Sequence, residues 1–125
     1  MSNSVTDSVI FGADLEKGTP VRLSAEGDAK LLSGHGSGSI GIVNYGGASG
    51  SLGSVTLCGP AKAQTSDSTI KKFDKLTFDA TGVVVKLSGS NICNAVAMED
   101  GRAAVGGVNS FILVNVLAAG GHKLD

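Results

Sequence analysis

Apolar and polar positions alternate along two stretches of this chain, and the two stretches are copies of one pattern. In the first, Val21, Leu23 and Ala25 alternate with Arg22, Ser24 and Glu26; in the second, Leu76, Phe78 and Ala80 alternate with Thr77 and Asp79. A period of two turns one set of side chains to a core and the other to water, which predicts a β-strand in each copy. Gly27 and Gly82 follow where a tight turn needs positive φ, and the chain returns through residues 29–32 and 83–87. Each copy therefore predicts a β-hairpin.

The copies extend over residues 15–34 and 70–89 at a constant offset of 55, with identical pairs at Lys17/Lys72, Ala25/Ala80, Gly27/Gly82, Leu32/Leu87, Ser33/Ser88 and Gly34/Gly89. Further on, an apolar strand at 40–43 finds its counterpart in 91–98, one residue out of register. A strand at 54–58, ended by Gly59 and Pro60, matches 110–117 at an offset of 56. The chain thus divides into related halves, about 15–58 and 70–117. Ahead of them, Val9, Phe11 and Ala13 predict a first strand, and residues 14–17 a single helical turn before Pro20. Residues 1–8 lack core-forming side chains and are predicted as a flexible N-terminal arm, with 9–125 as one β domain. Two hairpin-based halves joined in one sheet predict a mainly β fold, a small β-barrel or sandwich whose closure removes exposed edges.

Composition agrees with that class. Nineteen glycines, no Trp and no long stretch with helical spacing suit short strands and tight turns, and 125 residues suit one domain. Ten basic and eleven acidic residues, scattered to a net charge of −1, give no electrostatic footprint for nucleic acid or an anionic membrane. The longest apolar run, 111–117, is interrupted by Asn115 and falls far short of the ~20 residues that span a bilayer.

Candidate chemistry is sparse. Gly36, Gly38 and Gly41 spell G-x-G-x-x-G, but the following Ile42, Val43, Asn44, Tyr45, Gly46 and Gly47 do not continue as a helix, and no acidic residue stands about twenty positions on, so a glycine-rich loop is the reading. His35 and His122 have no second ligand at metal-binding spacing. Cys58 and Cys93 read as small packing residues, unbridged in a reducing cytosol. Asp74 and Asp79 are five apart, which puts them on opposite faces of an extended segment. No catalytic residue, metal or cofactor is expected, and the chain is read as not an enzyme.

Two stretches stand out as contact surfaces. Phe111, Ile112, Leu113, Val114 and Val116 put apolar side chains on both faces of one strand, so one face is expected in the core and the other against a neighbouring subunit; a strand buried on both sides within one chain is the alternative. Ser2, Asn3, Ser4, Val5, Thr6 and Asp7 of the largely polar arm are expected to order by adding backbone hydrogen bonds to the exposed strand edge of a partner.

The run from Gly18 to Gly27 (GTPVRLSAEG), its twin from Phe73 to Gly82 (FDKLTFDATG), the glycine- and alanine-rich loops 46–53 and 102–107 and the closing strand 111–117 resemble the small capsid decoration, or cement, proteins of tailed phages. Phe73 departs from the pattern, standing where a Gly begins the second hairpin. The resemblance implies a homotrimer made in the bacterial host cytoplasm and placed on the outer capsid surface of the virion, where it bridges and stabilises major capsid protein subunits. The partner of residues 2–7 is then the major capsid protein. A head fibre, or a carbohydrate-binding adhesive β-module, is the alternative; the latter is expected to expose aromatics, and Tyr45 is the only Tyr.

Overall fold

Both predicted hairpins form, and in the same register. In the computed structural model, which describes residues 4–32, 38–88, 92–117 and 122–123, strand β2 (Pro20–Leu23) pairs β3 (Ala29–Leu31) and β6 (Lys75–Phe78) pairs β7 (Val84–Lys86). Val21 lies opposite Leu31 and Leu76 opposite Lys86; Leu23 lies opposite Ala29 and Phe78 opposite Val84. The turns repeat too: Ser24 N–H bonds the Asp28 carbonyl as Asp79 N–H bonds that of Val83. Gly27 and Gly82 hold φ of 85° and 96°, which glycine adopts without the Cβ penalty.

The remaining strands are β1 (Val5–Ile10), β4 (Ser39–Val43), β5 (Leu52–Thr65), β8 (Ile92–Cys93), β9 (Ala95–Ala97), β10 (Ser110–Val116) and β11 (His122–Lys123). Nine of the strands form one curled, half-open sheet in the order β3-β2-β4-β5-β10-β9-β6-β7, with β1 added on β5; β8 and β11 pair separately. The order is palindromic because β3-β2-β4-β5 repeats as β7-β6-β9-β10.

The fourteen-residue β5 serves both halves. Residues 52–58 pair β1 and residues 55–56 pair β4, while residues 59–65 pair β10. The strand predicted to stop at Gly59 and Pro60 therefore continues. Gly59 takes φ of 96°, beside a register shift that sets Val5 against Cys58 but Thr6 against Thr56, so the strand bends there. Gln64 N–H points away from β10, to the Gly18 carbonyl. Backbone direction alternates along a strand, so at Pro60 the missing N–H also faces away and no ladder bond is lost.

Pairing then defines what corresponds to what. Asp7 lies opposite Val55 and Ile10 opposite Leu52; Ala61 lies opposite Val114 and Gln64 opposite Phe111. β1 in the first half thus plays the part of residues 60–64 in the second, at an offset of 54. By the same pairing Val55 corresponds to Val114, an offset of 59 and not the 56 expected for 54–58, because the second half carries five more residues between its third and fourth strands, 97–114 against 43–55. An odd slip matters, since it would turn every side chain to the opposite face. Two other expectations change. Residues 14–17 form no helical turn: Leu15 bridges Gly47 and Thr19 N–H closes on the Glu16 carbonyl. Val5, Thr6, Asp7 and Ser8, expected in the arm, lie in β1, because the edge of β5 satisfies their backbone within the chain; residues 1–3 lie outside the described ones.

Two apolar clusters fill the curl. The smaller joins Phe11, Leu15, Val21, Val43 and Val55. The larger is built on Ile70, Leu76, Phe78, Ile112 and Val114 and takes in Leu32 and Ile42 from the first half, which fastens the halves together.

One residue strains this repeat. Gly18 has φ of 81°, and at its counterpart stands Phe73 with φ of 76°, the single described non-glycine at positive φ. Phe73→Gly removes a conformational cost of about 1–2 kcal/mol, so the variant is expected to melt above Phe73→Ala, which keeps a Cβ at the same backbone angle, in a thermal scan.

Candidate interaction surfaces

β10 alternates as its sequence requires once its neighbours are fixed. Ile112, Val114 and Val116 are buried in the chain's own core, while Phe111 and Leu113 face outward, Phe111 at 38% exposure. Beside Leu113 the carboxylate of Glu99 ties three elements together. It accepts the Leu113 N–H at 2.6 Å and holds Lys62 Nζ and Arg102 Nη2, each at 3.2 Å. The Leu113 N–H bond holds the carboxyl below the ordinary 4.5; desolvation pushes it up, and Lys62 and Arg102 lower it further. Asp67 is also lowered: its burial raises it, but bonds from the Thr69 hydroxyl and the Lys86 and Thr69 N–H groups, with the Lys86 charge, outweigh that.

A group whose folded pKa lies below its unfolded one stabilises the fold above the unfolded value and loses that contribution as pH falls through the folded value. Stability is therefore expected to hold down to the ordinary carboxylate range, 4.5 for Glu99 and 3.8 for Asp67, and to fall below it. Glu99→Gln is expected to lower stability at neutral pH and flatten that acid limb, as read from urea melts across pH.

β1 is an edge strand. Ser4 Oγ donates to the Pro60 carbonyl at 2.6 Å, and Val5, Thr6, Asp7 and Ser8 are exposed. Phe11 N–H bonds the Ser51 carbonyl of the neighbouring chain segment, so by alternation Thr6 and Ser8 direct their backbone to the outer edge, while beyond Ile10 that side meets β3, where Phe11 bridges Ala29 and Gly12 N–H bonds the Ala29 carbonyl. Ser2 and Asn3 lie outside the described residues.

The junction between the halves centres on Gln64. Its N–H bonds the Gly18 carbonyl at 3.0 Å, its Nε2 bonds the Lys17 carbonyl at 2.7 Å, and its Oε1 accepts from Asn109 at 3.2 Å. Lys17 Nζ stands 5.8 Å from the Phe111 ring centre. An open cleft of about 710 Å³ runs alongside, between Glu16, Lys17 and Leu31 on one bank and Gln64, Thr81 and Gly82 on the other. The residue pairing that makes this junction had no signal in the sequence, apart from the departure at Phe73.

Reactive groups are scattered. Cys58 is half-buried and Cys93 buried, both as free thiols; Cys93 Sγ lies 3.5 Å from the Ala95 carbonyl. Asp74 pairs Lys86 at 3.6 Å, whereas Asp79 caps its own turn through Thr81. Gly36 and His35 lie outside the described residues, and among the described residues no three His, Cys, Asp or Glu side chains gather as metal ligands. No helix among them is long and apolar enough to cross a membrane.

These features define a duplicated antiparallel β-module with an exposed strand edge and exposed apolar side chains at its surface. Its fold is similar to that in the crystal structure of the N base of head fiber gp8.5 from bacteriophage phi29, with a TM-score of 0.68 over 98% of this chain and 98% of that one, at 13% sequence identity. No protein-family model matches the sequence, and no curated protein matches it.

Proposed function

We propose that this chain is a phage capsid-associated structural protein of the head-fibre-base kind, not an enzyme, which joins copies of itself and sits on the outside of the head. The observation that carries this reading is the fold likeness to the phi29 head fiber base, which spans nearly the whole of both chains. Purified particles test it: the protein is expected to co-purify with heads at a few copies each, and absence from particles overturns the reading. Cement between major capsid subunits is the second reading, favoured by the twin GTPVRLSAEG and FDKLTFDATG runs; a copy number comparable to that of the major capsid protein would select it.

Attachment runs through the outer edge of β1, where Ser4, Val5, Thr6 and Asp7 can take a further strand from the capsid. The second half supplies a suitable probe, since Pro60 occupies the place of Thr6. Thr6→Pro removes an outward N–H and leaves the β5 ladder intact, so the melting temperature is expected to hold. Binding to heads is expected to weaken about five-fold per site, the value of one hydrogen bond. Unchanged binding moves attachment elsewhere.

A further inference from the structure

The junction that holds the two halves together is present a second time, in two separated pieces. On the first half, the Lys17–Gly18 turn presents its carbonyls to Gln64, with Phe111 beside it. A Cβ at Gly18 would stand 2.9 Å from both the Phe111 ring and Gln64 N, so glycine is needed for that close approach. The counterpart of Lys17–Gly18 in the second half is Lys72–Phe73. Phe73 is 67% exposed and held at positive φ, with the Lys72 ammonium 5.1 Å from its ring centre.

The counterpart of the receiving side also exists. Pairing places Ile10 where Gln64 stands and Leu52 where Phe111 stands. Gln64 is buried by the junction, but Ile10 is 47% and Leu52 69% exposed, two large apolar side chains facing one another across an edge. The Ile10 N–H points away from β5, just ahead of the place where Phe11 bridges Ala29, as the Gln64 N–H points away from β10 to Gly18. Glu26 occupies the place of Thr81 on the cleft bank, and Lys86, which also pairs Asp74, that of Leu31 on the opposite bank, so a carboxylate on one piece matches an ammonium on the other.

We infer that the Lys72–Phe73 turn of one copy docks on the Ile10–Leu52 edge of the next, repeating between chains the junction that joins the halves within one. Phe73 covers Leu52, its carbonyl accepts the Ile10 N–H, and Lys86 of one copy faces Glu26 of the other. The two surfaces differ, so the contact runs head to tail, and copies close into a ring if the rotation permits. A strained, exposed aromatic and an exposed Ile–Leu pair are both accounted for by one contact. The inference rests on the self-association in the preceding reading but not on attachment to a head.

Light scattering after gel filtration tests it. The parent protein is expected as an oligomer at micromolar concentration, and Leu52→Asp, Phe73→Asp and Phe73→Gly each as monomers. Phe73→Gly guards against misfolding, because it relieves the backbone and is expected to melt above the equally monomeric Phe73→Asp. Mixing Leu52→Asp with Phe73→Gly is the decisive step. The first retains an intact Phe73 and the second an intact Leu52, so they are expected to join once and stop as a one-to-one dimer. Oligomers that survive all three substitutions, or monomers that do not join on mixing, overturn this junction and leave self-association by another face standing. A monomeric parent overturns both.

Discussion

Phe78→Ala is expected to cost about 3–5 kcal/mol, much of the ~5–15 kcal/mol that holds a typical domain together, and to shift the whole unfolding transition. Phe78 is 1% exposed and lies in the larger cluster, against residues contributed by both halves. Its backbone N–H is also spoken for, bonded to the buried Asn94 Oδ1 at 2.9 Å. Removing the ring opens a cavity that the sheet cannot close without moving β6 away from that bond. Leu32 and Ile42 sit in the same cluster, so the first half loses packing along with the second, and a single urea transition at lower midpoint is the expected result. Leu23 is the internal control: it occupies the same place in the first hairpin but is 44% exposed. Leu23→Ala is expected to stay within about 0.5 kcal/mol. Equal effects at the two positions would mean that the halves bury equivalent faces, contrary to the structure.

That contrast shows where a sequence of this kind is legible. The hairpins could be read residue by residue because alternation and turn glycine act locally, and both registers follow the offset of 55. Gly59 and Pro60 were opaque, because a proline halts a strand unless its missing N–H faces an edge, and edges are defined only after β10 and β1 have paired. The contact residues divide in the same way. Alternation along 111–117 implied two faces, but Leu113 gained its place beside Glu99 only through the fold. Val5 and Thr6 carry β-favouring side chains that suit a strand; nothing local says that the partner strand is β5. Phe73 was visible as a departure from the repeat, whereas Ile10 and Leu52 became a surface only once pairing set them opposite one another. Comparing the copies was therefore informative about register and silent about which of two equivalent positions is covered.

Gly41→Ala is the substitution for which the repeat itself misleads. Its counterpart across the offset of 54 is Ala95, already an alanine and fully buried, so the sequence alone recommends the change as harmless. The structure predicts a loss of about 3 kcal/mol or more, at the upper end of what overpacking costs. A Cβ at Gly41 would lie 1.9 Å from the Thr56 carbonyl oxygen and 2.8 Å from its carbon, both backbone atoms of β5 that cannot swing aside. The cause is a register shift between Val21 and Arg22 that pairs them with Gly41 and Ser39, skipping Ile40. That irregularity presses β4 onto β5, with Gly41 at φ of 154°. β6 and β9 pair without such a shift, through Lys75 with Val96 and Leu76 with Ala95, which leaves room for the methyl group. Gly27→Ala separates the two costs: at φ of 85° it is strained, but nothing lies within 4 Å of its Cβ, so a loss of only about 1 kcal/mol is expected. Urea melts of both variants beside the parent measure the difference. Equal losses would mean that backbone angle alone matters at Gly41, and that β4 and β5 can part without cost.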